Sequence, residues 1–184
     1  MNTTQTIPIK TETDLVMAVR KDPNRIGEIY QLYVKRIYRY LYSRVGDVQE
    51  AEDLTAQTFL SALENIDRFR EDGCFPAWLF GIARNKVVDH YRRTRKNISL
   101  DEQDGHSPAD EPLANIIRSE RAEALSALIR ELPEGERELL RLRYLAEMSF
   151  RDMACALKKN EDAVKKSLYR LLERLQRQLE VSND

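Results

Sequence analysis

The sequence predicts an all-α fold built as two small helical units. Apolar residues recur at three- and four-residue spacing along most of the chain. No stretch alternates apolar and polar residues as a half-buried strand does. Only six Gly and six Pro fall among 184 residues, few enough to leave long helices unbroken. The division into two units comes from charge. Residues 1–96 hold 16 basic and 13 acidic residues, 97–118 hold one and five, and 119–184 hold 13 of each. The middle piece, NISLDEQDGHSPADEPLANIIR, also carries two prolines and a glycine and shows no helical period before Leu113. It reads as a flexible acidic linker. The expected boundaries are therefore 1–96, a linker over 97–118, and 119–184.

In the first unit, residues 11–20 open with Thr and Glu and carry Leu15, Val16 and Val19, a short amphipathic helix. A helix over about 24–45 places Ile26, Ile29, Tyr30, Tyr33, Ile37 and Leu41 on one side. Asp47 followed by Glu50 starts the next helix in the manner of a capping box. That helix, about 48–67, turns Ala51, Leu54, Phe59, Ala62 and Ile66 inward and Asp53, Gln57, Ser61, Glu64 and Arg68 outward. Pro76 suits the first turn of a fourth helix, which runs to about residue 95. The second unit predicts helices over about 113–131, 134–145, 149–157 and 161–180. Pro133 begins the second of these, Ser149 with Asp152 caps the third, and Asn160 caps the fourth.

Composition also excludes. Apolar runs are too short to cross a bilayer. MNTTQTIPIK has no apolar core behind a basic start, so no secretory signal is read and the chain is expected to be cytoplasmic. Cys74 and Cys155 lie far apart with no CxxC or Cys/His neighbours, give no disulfide framework, and are expected to stay reduced. His90 and His106 have no neighbouring candidate ligands. No cofactor or metal site is expected. There is no glycine-rich phosphate loop, and no paired carboxylates with a His or Lys in a loop between strands, so an enzyme has little support.

Two motifs carry function. In the second unit, SFRDMACALKKNEDAVKKSLYRLLERL has the form of a short helix, a three-residue turn and a longer helix, the geometry that places a recognition helix in a major groove. At about 100° per residue, the face opposite the leucines carries Asp162, Lys166, Tyr169, Arg170, Glu173 and Arg177, with Lys165 at its flank. The N-terminal half of that arc would reach base edges, where Lys and Arg can pair with guanine, and its remaining donors can meet phosphate. The alternative is an ordinary helical hairpin with a solvated charged face. In the first unit, the thirteen residues RNKVVDHYRRTRK hold six basic residues and one acidic. Along the same helix, an arc that begins with Phe75, Trp78 and Ile82 becomes Asn85, Lys86, Asp89, Arg92, Arg93 and Lys96. Rings that meet bases, beside cations that neutralise a backbone, suit single-stranded nucleic acid. Plain core packing is the alternative for Trp78.

These residues resemble a known family. AEDLTAQTFLSAL, IDRFREDGCFPAWLFGIARNKVVDHYRR and ELPEGERELLRLRYLAEMSFRDMACAL, in that order, resemble the bacterial sigma-70 family. Within it they are most similar to the small extracytoplasmic-function (ECF) sigma factors, which keep only sigma regions two and four. The resemblance covers about residues 12–180. It implies a non-enzymatic initiation factor whose partners are core RNA polymerase, promoter DNA and an anti-sigma factor, often membrane-bound, with no small-molecule substrate. It implies that Asp53, Gln57 and Glu64 dock on the polymerase clamp. It further implies that the loop Arg68–Phe75 with Arg70, Phe75, Trp78, Arg84, Asn85, Lys86, Arg92 and Arg93 captures and opens the minus-ten element. Lys165, Lys166, Tyr169 and Arg170 would read the minus-thirty-five element. Gln57 stands where the family usually has Glu, Ala56 where Gln is common, Ser167 where Arg is frequent, and Lys158 and Lys159 where a Gly and an apolar residue are usual. A conventional helix-turn-helix repressor or activator is the other reading. It would bind a duplex operator without polymerase.

Overall fold

A computed structural model describes residues 11–70, 73–98 and 120–181. All regular structure among them is helical: α1 (Glu12–Lys21), α2 (Ile26–Val45), α3 (Val48–Glu64), α4 (Phe75–Ile98), α5 (Glu120–Glu131), α6 (Glu134–Leu140), α7 (Phe150–Leu157) and α8 (Glu161–Val181). The acidic stretch 99–118, with His106 and Leu113, lies outside the described residues.

The caps follow from the side chains available. Thr11 and Asp14 form a reciprocal capping box at the start of α1. The Asp47 carboxylate accepts from the Glu50 N–H at 2.9 Å, and Ser149 Oγ accepts from the Asp152 N–H at 3.1 Å. Each satisfies one of the orphan donors at a helix start. Gly46 ends α2 at φ 77°, a left-handed conformation that costs glycine nothing. Pro133 precedes α6 as its N-cap, one residue earlier than expected. The helix expected over 134–145 is α6 followed by a π-helical turn at Arg141–Leu145. The helix expected over 48–67 stops at Glu64 and hands over to a 3₁₀ turn at Ile66–Arg68.

The first unit packs α1–α4 around Val16, Ile29, Tyr33, Ile37, Tyr40, Leu41, Ala51, Leu79, Phe80 and Val87, all buried. The second packs α5–α8 around Leu139, Met153, Val164, Leu168, Leu171 and Leu175. The two do not stand apart. Buried residues of both form one shared cluster, with α7 against α4 and α2 against the π turn, while Leu132, Leu171 and Leu175 make a smaller cluster of their own in the second unit.

Polar groups stitch the same contact. Arg36 donates to the carbonyls of Ala146 at 2.7 Å and Glu147 at 3.0 Å. Arg39 meets the Glu147 carboxylate at 3.1 Å. Tyr40 donates to buried Glu138 at 2.8 Å. Arg44 pairs with Glu138 at 3.2 Å and with Glu134, and Arg141 joins them from the second unit. A carboxylate this buried is tolerable only with such partners.

A further link overturns the expectation for the cysteines. Cys74, on the loop before α4, and Cys155, in α7, are joined in a disulfide with Cα atoms 6.4 Å apart. They are 81 residues apart in sequence, so spacing alone could not show that the packing of α7 on α4 brings them together.

Candidate nucleic-acid interfaces and docking stripe

The loop entering α4 is shaped from beneath by rings. Phe69 and Phe75 are buried and meet edge to face with centroids 5.4 Å apart. Tyr33 closes on Phe75 at 5.6 Å. Trp78 sits 5.5 Å from Phe69 and 5.6 Å from Phe75, and is half-buried. Phe75 is thus committed to this framework, and Trp78 is the ring that keeps exposed surface. Arg20 reaches across from α1 and donates to the carbonyls of Ile66, Asp67 and Phe69, fixing the backbone that leads into the loop. Gly73 donates to the Arg70 carbonyl at 2.9 Å. A Cβ at Gly73 would lie 3.0 Å from that oxygen and 3.2 Å from the Phe69 ring, so any other residue there would press on both. Arg70 is exposed beside it.

Along α4 the site residues fall on two faces. Asn85, Arg92 and Arg93 are exposed and Lys86 half-buried on the arc that continues from Trp78, with Arg92 paired to Asp89 at 3.1 Å. Arg84 is separated from Lys86 by roughly half a turn of the helix. It lines the cleft toward the second unit with Ala77, Phe80, Gly81, Ala156 and Leu157. The structure therefore groups Lys86, Arg92 and Arg93 and sets Arg84 apart.

The helix-turn-helix is built from α7, a turn and α8. The turn is made by Lys158 in the left-handed region, φ 53° and ψ 45°, where a glycine would sit without strain. Asn160 then accepts from the Asp162 N–H at 2.8 Å. On α8, Lys166 and Arg170 are exposed and Tyr169 is 54% exposed. Lys165 is held closer in. Its ammonium is 2.8 Å from Glu161 and 5.6 Å from the centre of the Phe150 ring. The hydrogen bond to Glu161 raises its pKa, keeping it charged. Val164, Leu168, Leu171 and Leu175 bury the opposite face.

On α3, Asp53, Gln57 and Glu64 are all exposed and share one stripe, being separated by close to whole helical turns. Leu60 lies on the same stripe at 61% exposure. Beside it Tyr30, Val34 and Tyr38 of α2 face Glu52, Thr55 and Ala56 of α3 across a groove. Tyr30, expected on the apolar side of its helix, is 45% exposed because it lies at the edge of that face, against Phe59, and Leu60 and the Arg20 brace escaped the reading of the sequence. Leu60 was detectable as a leucine within an otherwise polar arc, whereas Arg20 acts on carbonyls 46 to 49 residues away, which no local pattern shows.

The chain thus has two helical units, one carrying an aromatic-to-basic helix and the other a helix-turn-helix. Residues 29–97 match Sigma-70 region 2 and residues 122–175 match Sigma-70, region 4. The chain is 33% identical over 151 residues to the ECF RNA polymerase sigma factor SigM of Bacillus subtilis, covering 82% of this chain and 92% of SigM. It is 36% identical over 162 residues to the ECF RNA polymerase sigma factor BldN of Streptomyces coelicolor, covering 86% of this chain but 61% of BldN. The fold is similar to that of CnrH, solved in complex with the cytosolic domain of CnrY (TM-score 0.64, 22% identity, 92% of this chain and 97% of that one). It is also similar to the sigma factor RpoE of Bartonella quintana, solved with the anti-sigma factor NepR (TM-score 0.58, 23% identity, 84% and 96%). The chain belongs to the ECF RNA polymerase sigma factor family.

Proposed function

We propose that this chain binds core RNA polymerase and directs it to a subset of promoters, with the polymerase supplying all the chemistry. The single observation that carries this reading is the joint presence, in one chain of the ECF sigma family, of an exposed docking stripe, an aromatic-to-basic helix and an exposed helix-turn-helix arc. Residues 1–96 act as the polymerase- and minus-ten-binding unit, 97–118 as the connection, and 119–184 as the minus-thirty-five-binding unit.

Asp53, Gln57 and Glu64 meet the polymerase clamp, with Leu60 adding apolar contact in their midst. Arg70 and Trp78 meet opened minus-ten DNA, and Phe75 shapes the pocket from below. Lys86, Asn85, Arg92 and Arg93 grip phosphates there, and Arg84, exposed at the edge of the cleft toward the second unit, adds a cation on the other face. Extruding a base is affordable where the strands already part. Lys166, Tyr169 and Arg170 face the major groove, and Lys165 supports them from Glu161 and Phe150.

An anti-sigma factor controls the protein, a reading supported by RpoE of Bartonella quintana, which is solved in complex with the anti-sigma factor NepR. Its place here is an apolar cavity of about 300 Å³ lined by Leu125, Ile129, Leu140, Tyr144, Leu172 and Leu175, which suits the apolar face of a helix. No helix among the described residues is long and apolar enough to cross a membrane, and the protein acts in the cytoplasm, where the polymerase is.

The test is a pull-down of core RNA polymerase by the purified chain. Retention of core enzyme by the intact chain, weakened at least tenfold by Asp53→Ala with Leu60→Ala, is the expected result. No retention by the intact chain would overturn the reading.

A further inference from the structure

We propose that Cys74 and Cys155 are a redox site, and that their disulfide latches the two units in the packed arrangement that cannot span a promoter. The inference rests on the proposed function, because it requires the two units to work at two separate DNA elements.

Geometry carries it. The disulfide joins the loop at the start of α4, the loop assigned to minus-ten capture, to α7, the supporting helix of the helix-turn-helix. The Cα atoms stand 6.4 Å apart, inside the range a disulfide spans without moving backbone. The promoter elements are named for positions about 25 base pairs apart, which at ~3.4 Å per step is roughly 85 Å of duplex. Residues 97–118, fully extended, reach at most about 75 Å, enough with the width of the units themselves to serve both elements once they separate. With Cys74 bonded to Cys155 they cannot separate at all. The latch also keeps α7 over the face of α4 that holds Arg84.

The pair is built to react. Cys155 is exposed and Cys74 half-buried, so small oxidants and reductants reach the sulfurs. The Cys74 carbonyl accepts the Trp78 N–H at 3.1 Å, which puts Cys74 at the positive end of the 24-residue helix α4. The Cys74 thiolate attacks one oxygen of hydrogen peroxide, the O–O bond breaks, and hydroxide leaves and takes a proton to give water, leaving a sulfenic acid. The Cys155 thiolate then attacks that sulfur, the S–O bond breaks, and a second hydroxide leaves as water. Two thiols are oxidised to a disulfide and one peroxide is reduced to two waters. A small dithiol reverses the step by thiol–disulfide exchange. The remaining contact between the units is mixed: buried apolar residues, Leu142, Ala146, Met148 and Met153 among them, pack on the first unit, beside Arg36 on carbonyls and Arg39, Tyr40 and Arg44 on Glu147, Glu134 and Glu138.

The experiment uses the full chain with core RNA polymerase, on a promoter found by mapping transcript 5′ ends after overexpression. The chain is reduced with dithiothreitol, or oxidised with hydrogen peroxide, and the Cys74–Cys155 link is scored by peptide mass spectrometry. The proposal expects linkage within one molecule and at least a tenfold loss of run-off transcript. Dithiothreitol restores it, and Cys155→Ser transcribes equally with and without peroxide. Core binding survives oxidation, because the α3 stripe stays exposed in the packed arrangement. Failure of peroxide to form the link overturns the latch, as does a fully linked chain that transcribes as well as the reduced one. If the reduced chain and Cys155→Ser both make no transcript, it is the sigma-factor reading that fails.

Discussion

The first unit closes over rings and the second does not. Tyr33, Tyr40, Phe59, Phe69, Phe75 and Phe80 are all buried, whereas Tyr144 and Tyr169 of the second unit are exposed and Phe150 is only half-buried. The second core is leucine, valine and methionine, and it leans on the first through Met148, Met153 and the buried Glu138. The difference matches the tasks proposed for the two units. A surface that holds opened strands needs rigid walls, and packed aromatic pairs supply them. A recognition helix needs only a supporting face and a set of exposed side chains. Under the proposed function it also leaves its neighbour, and the charge pairs and carbonyl hydrogen bonds of that contact can be exchanged for water, at the cost of uncovering Met148 and Met153.

Four measurements sharpen or break that contrast. Phe80→Ala removes a ring packed edge-on against Tyr40 with centroids 5.4 Å apart, and should cost about 3–5 kcal/mol in urea unfolding. Leu168→Ala should cost about 2–4 kcal/mol and act on the second unit. A cost near zero for Phe80 would break the claim that rings hold the first unit.

Alkali should separate the units next. Burial first, then the partners Glu12 and Glu138, pushes the pKa of Tyr33 and Tyr40 far above the ordinary tyrosine value. The folded state therefore keeps protons that the unfolded chain releases above about pH 10. The stabilisation is fully present below that pH and declines above it, by about 1.4 kcal/mol per pH unit for each tyrosine. Tyr33→Phe with Tyr40→Phe should flatten the decline. An unchanged slope would contradict the assignment.

The two DNA surfaces should respond differently to substitution. Lys166→Ala or Arg170→Ala should weaken upstream-element binding by about 1–3 kcal/mol and relax its sequence preference. Arg92→Ala with Arg93→Ala should reduce open-complex formation and lower the salt slope by about two. Identical behaviour of both pairs would erase the division of labour. The smallest effect is at the turn. Lys158→Gly relieves a left-handed residue and should raise the unfolding free energy by about 0.5–1 kcal/mol. A loss would mean that the lysine side chain holds the turn.

Much of this was legible in the residues. Helix periods, Thr11, Asp47, Ser149 and Asn160 as caps, and the exposed arcs of α3 and α8 are local properties, and local patterns report them. Three things were not. Phe75 shares an arc with Trp78, yet packing with Tyr33 and Phe69 decides that one ring is buried and the other half-open. Arg84 shares a basic run with Lys86, yet the helix sends it to the opposite face. Cys74 and Cys155 meet only because α7 packs on α4, a contact between units that no spacing encodes. For the rings and the cysteines the deciding partner lies far along the chain, whereas Arg84 is set apart by the helix repeat alone.

The central claim is that the polymerase and this chain together open a promoter. Permanganate reactivity of minus-ten thymines measures it directly, because only unpaired thymines react. The account predicts reactivity when chain, core RNA polymerase and promoter are combined, and none when either protein is left out. Tight binding of the chain alone to duplex DNA, with no reactive thymines after core enzyme is added, would contradict it.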